Sequence, residues 1–125
     1  MRAAAAAVVL AASTLLVPAA ASPAKVWPNN VQVDAKEFYF TISRRTIPPG
    51  PANVQFVNYG EDTHDLRLQR VGGAHIAGTP VVQPGDIVSL AVKLLPGKYL
   101  LWCSIANHRA LGMQTTLIVK APARK

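Results

Sequence analysis

Beyond residue 21 no stretch of this chain sustains a helical period. Apolar side chains instead recur at every second position in short runs, most of them bounded by glycine or proline. Such alternation places one apolar row on one face of an extended strand. Ten prolines and eight glycines supply the turns between runs. Residues 31–34 alternate in this way, and residues 37–43 repeat the period with Phe38, Phe40 and Ile42 on one face. Residues 44–46 turn the chain, Pro48-Pro49-Gly50-Pro51 stops any regular element, and residues 52–58 resume with Val54 and Phe56. Residues 58–62 carry turn chemistry, with Gly60 supplying any positive φ the turn requires. A strand over residues 63–71 puts His64, Leu66 and Leu68 on one face and Asp65, Arg67 and Gln69 on the other. Residues 71–85 read as a long surface loop. Strands over 86–95, 98–103 and 114–120 complete the set. Many short strands with glycine and proline turns favour an all-β sandwich with little helix.

The first 21 residues stand outside that pattern. Met1-Arg2 gives a short positive start, residues 3–17 are uncharged and mostly apolar, and Ala19-Ala20-Ala21 offers small residues in the A-x-A arrangement. Residues 1–21 are therefore expected to be a secretory signal peptide, cleaved after Ala21 with Ala24 as the alternative. A membrane anchor fits less well, because about 15 apolar residues fall short of the roughly 20 needed to span a bilayer. Residues 22–30 read as a flexible lead-in, 31–120 as one domain and 121–125 as a basic tail. The destination is the periplasm or the extracellular space.

Removing residues 1–21 takes Arg2 from the thirteen basic residues and none of the six acidic ones, so a strong positive excess remains. Such a surface suits an acidic protein partner or an anionic membrane surface. Nucleic acid is a poor fit for an exported domain with no basic run and no aromatic-basic repeat. The chain has a single cysteine, Cys103, and is expected to be a monomer. A lone thiol in an oxidising compartment must be buried, paired with another molecule or captured by a metal. Capture alone also accounts for its neighbours.

Those neighbours are His108 and Met113, which follow Cys103 within one loop between the strands at Lys98 and Gln114. Thiolate, imidazole and thioether together form the donor set that suits copper. A loop between two antiparallel strands can curl so that its ends and middle face one point. His64, directly after the 58–62 turn, can arrive from a neighbouring loop. Two histidines, one cysteine and a weak axial methionine form the blue-copper electron-transfer arrangement. His75, in the loop Gly72-Gly73-Ala74-His75, has no motif around it and is expected to bind nothing.

With these residues in view, the chain resembles the cupredoxins, the small blue copper proteins. The resemblance runs over residues 31–120 and rests on Ile47-Pro48-Pro49-Gly50, Asn58-x-Gly60, His64-Asp65, Pro84-Gly85, Leu95-Pro96-Gly97-Lys98-Tyr99 and Cys103-x4-His108-x4-Met113. The last spacing looks more like auracyanin, rusticyanin and sulfocyanin than plastocyanin. The resemblance implies a Greek-key β-sandwich holding one copper ion, Cu(I) or Cu(II), on His64, Cys103, His108 and Met113. It implies an electron carrier between redox proteins and not an enzyme: Trp102 and Ser104 flank Cys103, with no histidine to link a second centre. It also implies that His108 is the electron port, rimmed by Ala106, Ala110 and Leu111, with Arg109 adding a positive contact. Copper storage or delivery to a copper oxidase is the alternative; the single methionine beyond Met1 argues against it.

The chain departs from the family pattern in two places. Asp65 stands where many cupredoxins have asparagine, and Ala106-Asn107 stands where such loops often carry Pro-Gly. The Asp65 amide can still donate to the Cys103 sulfur, its side chain can still accept from Ser104, and the Ile105 amide is a second donor to sulfur. An ionised Asp65 would favour Cu(II) and lower the potential.

Overall fold

The structure, a computed structural model, describes Ala4, residues 12–13, 15–22 and 29–124. Most of the expected signal peptide and lead-in lies outside the described residues. The described residues of 1–22 are exposed and carry no regular structure. No helix among the described residues is long and apolar enough to cross a membrane.

Among the described residues, nine strands form two sheets: β1 (Asn29–Lys36), β2 (Tyr39–Ile42), β3 (Thr46–Ile47), β4 (Gly50–Asn58), β5 (Arg67–Arg70), β6 (Ile76–Gly78), β7 (Ile87–Leu94), β8 (Gly97–Trp102) and β9 (Gln114–Val119). One sheet has the order β2-β1-β4-β7 and the other β3-β9-β8-β5-β6. β1 runs parallel to β4, and β3 parallel to β9; the other neighbours are antiparallel. The all-β sandwich read from the alternation is the fold observed.

Each sheet turns its period-2 apolar row inward. Val31, Val33 and Ala35 of β1 face the core with Ala52, Val54 and Phe56 of β4, and the register sets Val31 beside Val54 and Val33 beside Phe56. Phe40 meets Phe56 edge-on, with ring centroids 5.8 Å apart. Burying each such side chain contributes about 1.5–3 kcal/mol. Along β7, Ile87, Ser89, Ala91 and Lys93 are exposed while Val88, Leu90 and Val92 face inward, as the alternation required.

Several boundaries differ from the sequence reading. β1 begins at Asn29, two residues inside the expected lead-in. β4 begins at Gly50, within the proline cluster expected to stop any element. Pro51 is tolerated because β1 pairs with β4 only from Ala52 onward, so its missing N–H falls beyond that ladder. Phe38 is not on the strand with Phe40 and Ile42, since residues 37–38 form the turn between β1 and β2. The expected strand over 63–71 is regular only from Arg67; before it, His64 makes an isolated bridge to Val82. Short edge strands, β3 and β6, occupy segments expected to be turn and loop.

The sandwich positions the site by register. In β8 the buried row Tyr99, Leu101 continues to Cys103, and the row Leu66, Leu68 continues backwards to His64. On β9 the inward row reaches Met113, directly opposite Cys103, whose amide donates to the Met113 carbonyl at 3.1 Å. Three inward rows therefore run out at one end of the molecule.

Candidate metal centre

His64 is delivered by a loop built around Asn58. This asparagine is fully buried; its Nδ2 donates to the Asp62 carbonyl (2.8 Å) and the Val82 carbonyl (2.9 Å), and its Oδ1 accepts from the Gly60 amide (2.9 Å). A buried amide with its hydrogen bonds made is a rigid staple, because leaving any of them unmade would cost about 1–3 kcal/mol. Val82 then exchanges backbone hydrogen bonds with His64, 2.7 and 3.1 Å long. Gly60 does not have the positive φ expected of it. A Cβ at Gly60 would instead strike the Glu37 carboxylate, so the residue is small for lack of space.

Residues 103–113 connect β8 to β9 as a chain of turns. The His108 amide donates to Ile105, Leu111 to Asn107 and His108, Gly112 to Arg109, and Met113 back to His108. Ala106 adopts φ +45°, in the left-handed region that favours glycine and that a proline at this place could not enter.

These two loops bring His64, Cys103 and His108 together, their donor atoms within 4.8 Å of one another. His64 Nδ1 and His108 Nδ1 are 3.2 Å apart, and the Cys103 sulfur lies 4.0 and 3.7 Å from them. A point equidistant from the three atoms lies about 2.1 Å from each, within the roughly 2.0–2.3 Å of zinc bonds to imidazole and thiolate. The triangle therefore fits a trigonal first-row metal without movement. Met113, fully buried, is tied through its backbone to both Cys103 and His108. His75 is exposed and joins no such cluster among the described residues.

Burial pushes the Cys103 thiol up, the amides of Asp65 and Ile105 pull it down, and the Asp65 charge pushes it up again. Asp65, expected on the outer face of a strand, is buried; its carboxylate accepts from the Ser104 amide at 2.6 Å and from the Ser104 hydroxyl, and meets Arg67 at 3.1 Å.

Two residues of the site were missed in the sequence reading. Phe38 packs its ring on His108, centroids 4.7 Å apart, and stands edge-on to His64 at 6.5 Å. Glu37 Oε1 lies 2.9 Å from His64 Nε2 and also accepts from the amides of Glu61 (2.8 Å) and Asp62 (2.9 Å). The Asp62 amide first, and then the His64 imidazole, hold the Glu37 carboxyl down at about 2. Both residues occupy one tight turn, some 27 positions before His64, and no local motif announces them.

Of the residues offering these donors, His64, Cys103 and Met113 are fully buried and His108 is 8% exposed. Ala106, Ala110, Leu111 and Arg109 around it are exposed. The Arg109 guanidinium sits 4.6 Å from the centroid of the Trp102 ring.

No protein-family model matches this chain, and no curated protein matches it by sequence. Solved structures do match by shape. Auracyanin A, a "blue" copper protein from the green thermophilic photosynthetic bacterium Chloroflexus aurantiacus, aligns at 17% identity with a TM-score of 0.62, over 75% of this chain and all of that one. A purple cupredoxin from Nitrosopumilus maritimus aligns at 19% identity and 0.53, over 74% of this chain and 99% of that one. Reduced rusticyanin aligns at 22% identity and 0.57, over 76% of this chain and 82% of that one. The fold is that of the cupredoxins.

Proposed function

We propose that this chain is an exported blue copper protein that carries single electrons between redox partners, with copper held by His64, Cys103, His108 and axial Met113. The observation that carries the reading is the donor triangle: two imidazole nitrogens and one cysteine sulfur around a common point at metal-bond distance. Copper there would supply a one-electron couple, Cu(II)/Cu(I), in a trigonal N₂S set with a weak axial sulfur.

The protein's own part is to keep that set still and dry. Asn58 and the His64–Val82 bridge fix one ligand, and the turns of residues 103–113 fix the others. Ligands that barely move between oxidation states make electron exchange easy. The Asp65 and Ile105 amides stabilise charge on the Cys103 sulfur, and Phe38 covers both imidazoles against water. His108, the least buried of the four, is the electron port, and the exposed Ala106, Ala110 and Leu111 form an apolar rim for docking. Arg109 and the basic surface suit an acidic protein partner. The protein acts as a carrier and not as an enzyme. Burial of the whole donor set favours retention of copper over delivery.

The test is to express the chain for export, add Cu(II) to the purified protein, and record its visible and EPR spectra. An intense thiolate-to-copper band that vanishes in Cys103→Ser is expected. A colourless protein, or colour that survives the substitution, would overturn the reading. Fast reversible reduction favours a carrier; rapid loss of copper to a chelator favours delivery.

A further inference from the structure

The fold gives His64 a partner that is itself held in three ways. One oxygen of Glu37 receives the imidazole Nε2 and the amides of Glu61 and Asp62, all within 2.9 Å. These contacts join the turn after β1 to the loop that carries His64. An ionised carboxylate can only accept hydrogen bonds, so the proton between Glu37 and His64 belongs to Nε2. Nδ1 is then the nitrogen with a free lone pair, and it is Nδ1 that faces Cys103 and His108. A backbone carbonyl could select the same tautomer, but it would not bring a formal charge. His64 is fully buried while the Glu37 side chain is 28% exposed, so the charge sits at the solvent edge of a dry ligand.

We infer that Glu37 is the positioning residue of this centre: it locks His64 in the tautomer that presents Nδ1, and it sets a fixed negative charge behind that imidazole. The inference rests on the copper reading above for its effect on potential, though not for the lock itself. A carboxylate behind a metal-bound imidazole makes the ring a stronger donor and orients it, and removing such a partner typically lowers metal affinity 10–100-fold. The negative charge favours Cu(II) over Cu(I), so losing it raises the reduction potential. Gly60 belongs to the same device, because a Cβ there would push into the Glu37 carboxylate.

Three variants separate the parts: Glu37→Gln, Glu37→Ala and Gly60→Ala. In the copper-free full chain, long-range proton–nitrogen NMR of the His64 ring reads the tautomer directly. Wild type is expected to show a single form with the proton on Nε2. Glu37→Gln keeps that form, since the amide oxygen still accepts. Glu37→Ala and Gly60→Ala give a mixture. In the copper-loaded proteins, Glu37→Gln is expected to shift the Cu(II)/Cu(I) preference by about tenfold, a rise in potential of about 59 mV for one electron. Glu37→Ala is expected to lose 10–100-fold in Cu(II) affinity. A single Nε2–H tautomer in both alanine variants overturns the lock, and an unchanged potential in Glu37→Gln overturns the charge effect. Should Glu37→Ala fail to fold, Gly60→Ala tests the lock with Glu37 intact. A wild-type chain that takes up no copper would sink the electron-carrier reading, while the copper-free NMR still decides the lock.

Discussion

Asp65 and Ser104 lie 39 residues apart in sequence, yet the Asp65 carboxylate accepts from both the backbone amide and the hydroxyl of Ser104. The pair closes the end of the sheet where β5 and β8 would next have bonded, and so ties the His64 loop to the Cys103 loop. It follows the register directly: Arg67 faces Trp102 on these antiparallel strands, which sets Asp65 beside Ser104.

Asp65→Asn separates the tie from its charge. Asparagine keeps an oxygen for the Ser104 amide but leaves Arg67 without its 3.1 Å partner. Hydrogen bonds to a charged group contribute about 1.5–3 kcal/mol. The copper-free variant should therefore unfold about 1–2 kcal/mol more easily in urea, and the copper protein should show a higher potential. The rise stays within one decade of affinity, about 59 mV, because Arg67 already offsets part of the charge. An equal or lower potential would show that Asp65 does not act on the centre.

Met113 has two jobs that substitution can part. It is fully buried in the core cluster, and it is the proposed axial ligand. Met113→Ala should cost about 2–5 kcal/mol in the copper-free protein through the cavity it leaves. Met113→Leu keeps the volume and should cost less than about 1.5 kcal/mol. If Met113 were core filling alone, the leucine variant would have an unchanged visible spectrum and potential. As a ligand, its replacement changes both while copper-free stability hardly moves. Thermal unfolding and spectroelectrochemistry on the same two variants decide between the jobs.

The inward rows were readable from sequence because one strand period fixes them. Leu66 and Leu68 lead to His64, and Tyr99 and Leu101 lead to Cys103. Glu37 and Phe38 were not readable in the same way. Both belong to the turn between β1 and β2, in the opposite sheet from Cys103, and only the packing of sheet on sheet brings that turn over the histidines. Gly60 was misread because a glycine in a turn suggests a positive φ, whereas here the constraint is a carboxylate from elsewhere in the chain. β3 and β6 were missed because two- and three-residue edge strands are too short to carry a period.

Ala106, at φ +45°, carries a side chain where the backbone favours glycine. A left-handed alanine costs roughly 1–2 kcal/mol, part of which a glycine gives back as unfolded-chain entropy. Ala106→Gly should stabilise the copper-free protein by about 0.5–1 kcal/mol, seen as a rise of a few degrees in the melting temperature. Its methyl group is exposed, so no packing is lost. A lower melting temperature would mean that loop contacts hold Ala106 in place at no cost.

Arg109 joins the proposed docking face to the strand below it. Its guanidinium lies 4.6 Å from the Trp102 ring centroid, and its Nε reaches Gln114 at 3.4 Å. A cation over an exposed ring contributes about 0.5–1 kcal/mol, so Arg109→Glu should lower stability by no more than that. The visible spectrum should hardly change, since Arg109 supplies no donor atom to the centre. The rate of electron transfer is where the charge acts. Replacing a positive contact by a negative one beside His108 should slow association with an acidic partner by tenfold or more at low salt. Because exposed charges are screened beyond about 10 Å at 0.1 M ionic strength, the gap between variant and wild type should narrow as salt rises. Stopped-flow reduction by an acidic redox protein across a salt series measures both effects. A rate and salt dependence equal to those of wild type would place the docking face elsewhere on this basic surface, and would leave His108 without its proposed positive neighbour.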